Sequence, residues 1–221
     1  MNKMNDFLSL SLITKKYGTR TILDQIDLAV SRGDYISVTG KSGAGKSTLI
    51  NILALLDRDF QGSYCFEGTP IHKKDHTSFR NRHIGLLFQQ YNLLPTLTAR
   101  ENVLLPYTYY NGVIDDIGSR CERLFEEFGL SYLIHQRVNT LSGGEKQRVA
   151  LLRCMIHDPD IILADEPTGN LDNNNAKLIQ DFLAKNHQAG KTIIVVTHDL
   201  SLANHASRKL FIENGKLYEH K

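Results

Sequence analysis

Apolar and polar residues alternate at Leu8, Leu10 and Leu12 and again at Ile26, Leu28 and Val30, the period of strands with one buried face. These stretches predict an antiparallel pair near the start of the chain. From Tyr35 the pattern changes. Short apolar runs at Tyr35 to Thr39, His83 to Phe88, Ile161 to Ala164 and Thr192 to Thr197 are rich in β-branched or large apolar residues. Helical stretches separate them, as they separate buried parallel strands, so an α/β core is expected. Between Gln90 and Leu141 the strand pattern disappears. One helix is predicted from Thr98 through Leu105 to Pro106, and Ile117, Cys121, Leu124, Phe125 and Phe128 recur at helical spacing, which predicts an all-helical insert. The final stretch LFIENGKLYEH reads as a hairpin turning at Asn214-Gly215. No internal repeat or low-complexity linker interrupts this order.

Composition narrows the class without choosing a function. The 221 residues are 41% apolar and 23% charged, which excludes a disordered chain, a collagen-like repeat and a disulfide scaffold. Twenty-six basic against 24 acidic residues leave a net charge of +2, so no global field gathers nucleic acid or anionic lipid, and no nucleic-acid partner is expected. Cys65, Cys121 and Cys154 are odd in number and far apart, which suits a reducing cytoplasm. Cys154 reads as a small buried apolar residue. The N-terminal MNKMNDFLSLSLITKKYG shows no signal-peptide pattern. Apolar runs such as Ile193 to Val196 fall far short of the ~20 residues that span a bilayer. His72, His76 and His83 crowd a segment with Lys73, Lys74, Arg80 and Arg82, and without cysteine or spaced carboxylates this reads as a solvated surface, not a zinc site.

The first chemical motif is GKSGAGKST, comprising Gly40, Lys41, Ser42, Gly43, Ala44, Gly45, Lys46, Ser47 and Thr48, between the strand YISVT and the helical run TLINILALL. Alone it could be a glycine turn capping a helix, but its strand and helix flanks are those of a phosphate-binding loop. Gly43 and Gly45 let successive N–H groups point at one anion, and the following helix adds the positive end of its dipole. Lys46 supplies a cation for the β and γ phosphates, and the Ser47 hydroxyl is placed to ligate Mg²⁺. The strand IILAD ends in Asp165 and Glu166. Asp-Glu-Pro by itself is equally a solvated turn. Beside a phosphate loop, Asp165 would hold the metal through water and Glu166 would act as general base on the attacking water.

LSGGEKQRVA, from Leu141 to Ala150, makes a second N-terminal anion cradle. One nucleotide does not need two. With both motifs the chain resembles, over essentially its whole length, the ATP-binding cassette (ABC) ATPases, in which this signature completes the site of a partner subunit in a head-to-tail dimer. The resemblance implies a P-loop NTPase (RecA-like) α/β core with an N-terminal antiparallel β region and an all-helical subdomain. Residues 1–221 would form one ABC ATPase domain, with 1–89 and 158–221 as nucleotide-binding core and 90–157 as the helical subdomain with the signature. It further implies that Tyr17 stacks on adenine, that Gln89 touches Mg²⁺ and the water, and that Gly169 to Asp172 link the two sites. His198 would contact the γ phosphate. Taken singly, Tyr17 also reads as a packing aromatic, Gln89 as a polar loop residue and His198 as a histidine closing a strand. Most family members carry Gln where this chain has Glu145. Ser142 and the Gly143 and Gly144 backbone bind the phosphate, so function is expected to survive.

What the ATPase drives is read from the insert. The stretch between Gln89 and Ser142 has no sustained heptads and no room for the long coiled coil of family members acting on DNA or chromosomes. It matches the compact subdomain that in transporters grips a helix of the membrane subunit. FQQYNLLPTLTARENVLLPYTY and DEPTGNLD look most like the branch of macrolide and peptide exporters, lipoprotein-release complexes and the cell-division cassette. That resemblance implies an ATP-hydrolysing subunit that dimerises with ATP, energises a separate transmembrane permease, and lies in the cytoplasm on the inner face of the membrane. Membrane contact would be made only through the permease. The alternative is a mechanical ATPase signalling across the membrane without transport. A soluble P-loop phosphotransferase would leave LSGGE without a task. Tyr91, Leu93, Leu94 and Leu97, more apolar than a solvated loop needs, are expected to line the groove that receives the partner's helix.

Overall fold

The computed structural model describes residues 6–108, 116–169 and 171–219. The chain opens with β1 (Leu8–Tyr17), β2 (Arg20–Val30), β3 (Tyr35–Gly40), α1 (Lys46–Leu53), β4 (Gln61–Phe66), β5 (Thr69–Pro70), α2 (His76–His83) and β6 (Ile84–Phe88). Helices α3 (Ala99–Thr108), α4 (Ile117–Glu127) and α5 (Gly143–Met155) follow, with short 3-10 turns at Ser131–Leu133 and Val138–Thr140 before α5. The chain then runs through β7 (Ile161–Asp165), α6 (Asn173–Gln188), β8 (Thr192–Val196) and α7 (Leu200–Ala203) to the hairpin β9 (Arg208–Glu213) and β10 (Lys216–Glu219).

Two sheets result. The antiparallel one has the order β2-β1-β4-β5, and the larger has β10-β9-β3-β8-β7-β6, parallel except at its β10 edge. The central strands β3, β7 and β8 of the larger sheet are buried on both faces, which is why they read as continuous apolar runs. In β8 the period of two divides them. Ile194 and Val196 join Leu49, Ile52 and Leu53 of α1 and the inner face of the small sheet, while Ile193 and Val195 pack with Ile179, Phe182 and Leu183 of α6. A third cluster unites Ala99 and Val103 of α3, Cys121 and Phe125 of α4, and Val149, Leu152 and Ile156 of the α5 region. Among the described residues no helix is long and apolar enough to cross a membrane.

The antiparallel start, the parallel core and the Asn214-Gly215 hairpin stand as the sequence predicts. Several details differ. The alternation fails at Leu12, which is 58% exposed. A bulge after Leu10 puts Leu12 at φ 52°, its amide donating to Asp27 Oδ1 at 2.9 Å, and passes the inward place to Ile13. His83 ends α2 instead of starting β6, and α3 runs past Pro106 to Thr108. Of the three histidines in the basic segment only His72 is exposed, along with Lys73, Lys74 and Arg82. His76 is buried, its ring stacked against Phe60, and His83 Nδ1 lies 2.6 Å from Asp160 Oδ2. Among the described residues no cluster of His, Cys, Asp and Glu could hold a metal. Cys154 is buried, and burial pushes its thiol up to about 12.

Candidate functional site

Register brings the site together. Phe88 pairs with Asp165, Asp165 with Val196, and the Thr197 amide donates to the Val38 carbonyl at 3.1 Å. The residues just beyond these pairs, Gln89, Glu166, His198 and the loop after Gly40, therefore gather at the carboxyl ends of four adjacent parallel strands, where ligands of such sheets bind.

The loop after β3 turns on glycine. A Cβ on Gly40 would lie 2.6 Å from the Ile212 carbonyl oxygen, and Gly45, at φ 107°, would bring one within 2.9 Å of Leu23 Cδ2. Gly45 caps α1 without a side chain, and no acidic residue stands in that helix's first turn. Its amides and dipole are left for an anion. Lys46 Nζ donates to the carbonyls of Gly40 at 2.8 Å and Lys41 at 3.2 Å, folded back over the loop. Lys41, Ser42, Gly43 and Ser47 are exposed, while Ala44 and Thr48 are half-buried. A cavity of about 530 Å³ opens here, walled by Gly40 to Ala44, Arg20 to Ile22 and the β9–β10 turn.

The carboxylates at the end of β7 have unlike surroundings. Burial and the Glu166 charge push the Asp165 carboxyl up, against the Ser47 hydroxyl and the Lys46 ammonium, which pull it down. Its Oδ1 is buried without a hydrogen-bond partner, an orphaned anionic oxygen beside a hydroxyl, and this donor pair fits a divalent cation. Glu166 stands at φ 46°. Its Oε2 accepts from Thr197 Oγ1 at 3.2 Å and the His198 amide at 3.1 Å, and lies 2.8 Å from His198 Nδ1. The imidazole is 71% exposed and the carboxylate 15%. Gln89 is exposed, and its Nε2 lies where a Cβ on Gly169 would come within 2.8 Å. The Gly169 amide donates to the Glu166 carbonyl at 3.0 Å. Asn170 of the linking loop lies outside the described residues. Asp172 caps α6, accepting from the Asn175 amide at 2.9 Å.

Tyr17, 53% exposed, donates its hydroxyl to Asp57 Oδ2 at 2.9 Å. Asp57 Oδ1 accepts from the buried Lys15 ammonium at 2.8 Å, which also donates to the Asp59 carbonyl at 2.6 Å. The cation lies over the Tyr17 ring at 4.8 Å. The second cradle stands at α5. Ser142 caps it in a capping box with Glu145: the Ser142 hydroxyl and amide donate to Glu145 Oε2 at 2.6 and 2.8 Å. Tyr132 donates to Glu145 Oε1 at 3.0 Å, and Ser142 and Gly143 are exposed. Among the described residues no hydrogen bond or ion pair joins Ser142 to Glu145 with Gly40 to Thr48. The first cradle and its carboxylates form one cluster, and the helix of the second reaches its edge at a cavity lined by Lys146, Gln89 and Gly169.

Sequence reasoning missed the supports. Thr197 orients Glu166, Lys15 and Asp57 hold Tyr17, and Thr168 donates to Asp199 at 3.0 Å. Arg153 donates to the carbonyls of Asn92 at 2.6 Å and Tyr91 at 2.5 Å, just past Gln89. A lone arginine within the apolar stretch LLRCMI was the available signal. A mainly apolar groove of about 380 Å³ lies beside this tie, lined by residues of α2, β6, α3 and α5 with Asn92, Leu94 and His157. Of the four apolar residues expected to line the partner's groove, Leu94 lines this one, while Tyr91 and Leu93 line a separate cavity with Gln89, and Leu93 also packs against the helical core.

A sequence model described as ABC transporter matches residues 23–169. The bacitracin export ATP-binding protein BceA of Halalkalibacterium halodurans is 39% identical over 222 residues, covering 96% of this chain and 87% of BceA. The lipoprotein-releasing system ATP-binding protein LolD of Cytophaga hutchinsonii is 42% identical over 216 residues, covering 96% and 99%. The dimeric post-hydrolysis structure of the ATP-binding cassette MJ0796 bound to ADP and Pi matches with a TM-score of 0.85 at 35% identity, covering 97% of this chain and 98% of that one. The chain belongs to the ABC transporter family, as its ATP-binding and ATP-hydrolysing component.

Proposed function

We propose that this chain pairs with a second copy around two ATP molecules and energises a separate transmembrane permease from the cytoplasmic side of the membrane, in a system for export or lipoprotein release. The observation that carries the reading is the presence of two cradles: the Gly40 to Thr48 loop stands with Glu166 and His198, while the Ser142 cradle is exposed and, among the described residues, shares no hydrogen bond with that loop. A head-to-tail pair gives each cradle the other's nucleotide. The printed names of BceA and LolD support the transport class, and the dimeric MJ0796 cassette supports the assembly. In this reading 1–89 and 158–221 bind nucleotide, while 90–157, with their own core of α3, α4 and α5, face the permease at the Leu94 groove.

The family resemblance implies the following residue roles, and the geometry of the site is compatible with them. Tyr17 stacks on adenine; Lys46 leaves the Gly40 and Lys41 carbonyls for the β and γ phosphates, and the α1 amides take the β phosphate. Ser47, Asp165 through water, and Gln89 would hold Mg²⁺, which when bound neutralises phosphate charge. Glu166, oriented by Thr197, accepts the proton of the attacking water, and His198 donates toward the γ phosphate. Ser142, Gly143 and Gly144 bind the partner's γ phosphate, with Glu145 framing them.

The test is dimer trapping. Glu166→Gln, measured by light scattering with ATP in the absence of Mg²⁺, is expected to double in mass and to return to monomer when ATP is removed. A monomer at every nucleotide and protein concentration would overturn the homodimer.

A further inference from the structure

The positive charge of the chain is unevenly spread. From Ile71 to His83, Lys73, Lys74, Arg80 and Arg82 are set against Asp75 alone, and the fold adds Arg58 from the loop after α1. Arg58 donates to Thr77 Oγ1 of α2 and lines one cavity with Lys73 and Leu56. Burial, and after it the Arg58 charge, lowers the pKa of Arg80, so these cations stand close enough to repel. Arg58, Lys73, Lys74 and Arg82 are exposed, and Leu56 beside them is 43% exposed. The neighbouring carboxylates are taken by other groups: Asp57 and Asp59 by Lys15, Glu67 by Arg32, and Asp160 by Arg32 and His83. Among the described residues Arg58, Lys73, Lys74, Arg80 and Arg82 belong to no ion pair.

Resting on the reading that the Leu94 groove faces the membrane subunit, we propose that the basic surface of α2, with Arg58 and Leu56, binds the anionic headgroups of the bilayer directly, a contact added to the one made through the permease. Arg80 and Asn81 of α2 also line that groove, so the patch lies at its edge and is carried toward the same bilayer. Headgroup phosphates supply the counter-charge that the protein withholds, within a Debye length of about 10 Å. Leu56 offers an apolar side chain to the interface. A nucleic acid would use the cations but has no need of Leu56 or of a place beside the groove.

The probes are vesicles of phosphatidylcholine alone or with about 30% phosphatidylglycerol, mixed with the full chain and read by flotation. At low salt the chain is expected to partition about tenfold more strongly onto the anionic vesicles, and to be released at about 0.5 M salt. Lys73→Gln with Lys74→Gln should lower that partition about tenfold. The charge-matched pair Lys177→Gln and Lys185→Gln, on α6 across the larger sheet, should lower it by about twofold or less. ATP binding and thermal unfolding should match the parent in both pairs. Equal flotation with the two vesicle types, or equal loss from the α2 and α6 pairs, would overturn the lipid contact. Tighter binding of single-stranded RNA, abolished by the α2 pair, would also overturn it and assign the patch to nucleic acid. Bimane attached at Ser78→Cys or Leu94→Cys on a Cys65→Ser background, with nitroxide-labelled lipid as quencher, separates this contact from the groove reading. Quenching is expected at both positions. Quenching at position 78 alone would support the lipid contact and overturn the groove's orientation; quenching at neither would overturn the lipid contact and leave the groove reading standing.

Discussion

Glu166 Oε2 and His198 Nδ1 lie 2.8 Å apart, though one residue follows β7 and the other β8. The contact depends on the pairing of Asp165 with Val196, which sets the two strand ends level. Thr197 Oγ1 and the His198 amide crowd the same oxygen. One carboxylate oxygen is thus fixed by β8, and a backbone at φ 46° aims the side chain. A non-glycine residue in that region is strained, and such strain gathers at functional sites.

Glu166→Gln is therefore expected to preserve the local structure, since an amide oxygen still accepts from Thr197 and the His198 amide, while losing the proton acceptor. Turnover should fall by about 10²- to 10⁴-fold with nucleotide affinity nearly unchanged. Phosphate release and equilibrium binding of labelled ATP, measured on the same preparation, separate the two effects. Near-normal turnover would remove Glu166 from the base role.

The anchoring of Tyr17 gives a prediction about both stability and affinity. Lys15 is 4% exposed and Asp57 16%. Burial pushes the Asp57 carboxyl up, but hydrogen bonds from Lys15, the Asp59 amide and Tyr17 outweigh it and hold the group below its ordinary 3.8. A lowered folded pKa contributes stability that is present above the ordinary value and lost as pH falls through the folded one. Asp57→Asn should cost about 2 kcal/mol at neutral pH, because the buried Lys15 ammonium loses its counter-charge at 2.8 Å and keeps the Asp59 carboxylate at 3.6 Å, and should flatten the loss of stability below pH 3.8. ATP affinity should fall with it as the ring loses its tether. Urea unfolding across pH, with nucleotide titration, tests both. A variant as stable as the parent whose acid profile is unchanged would discard the anchor.

The large-sheet strands were legible because burial on both faces leaves continuous apolar runs, and the Asn-Gly turn because its dihedrals favour those residues. The first cradle was legible because glycine spacing, lysine and hydroxyl fall in one short segment. What escaped was set by contacts distant in sequence. Leu12 fits the alternation, and only the bulge against β2 turns it outward. His76 and His83 sit among charges in the sequence yet meet Phe60 and Asp160 in space. Gly85 gave no signal, although a Cβ there would lie 2.6 Å from Cys154 Sγ, the contact that sets α5 against β6. Asp57, Lys15 and Arg153 support site residues through bonds between separate elements, and no local spacing announces such bonds.

Glu145 provides the last prediction. Hydrogen bonds from the Ser142 hydroxyl, the Ser142 amide and the Tyr132 hydroxyl hold its carboxyl below the ordinary 4.5, so at neutral pH an anion stands at the N-terminus of α5. The Ser142 hydroxyl that a partner's phosphate would use is thereby engaged, donating to Glu145 Oε2 at 2.6 Å. An incoming phosphate must both displace that bond and approach a like charge. Glutamine at this position keeps an oxygen acceptor for Ser142 and removes the charge, so the capping box survives and the repulsion does not. Placed on the Glu166→Gln background to block hydrolysis, Glu145→Gln should lower the ATP concentration for half-maximal dimerisation by about threefold, with the difference narrowing as salt screens the charge. Glu145→Ala, which loses the acceptor as well, should destabilise α5 by about 1 kcal/mol and serves as the control for capping. Dimerisation titrated by light scattering at low and high salt reads the effect. An unchanged or higher ATP requirement in Glu145→Gln, with α5 as stable as in the parent, would show that the carboxylate does not oppose the partner's phosphate.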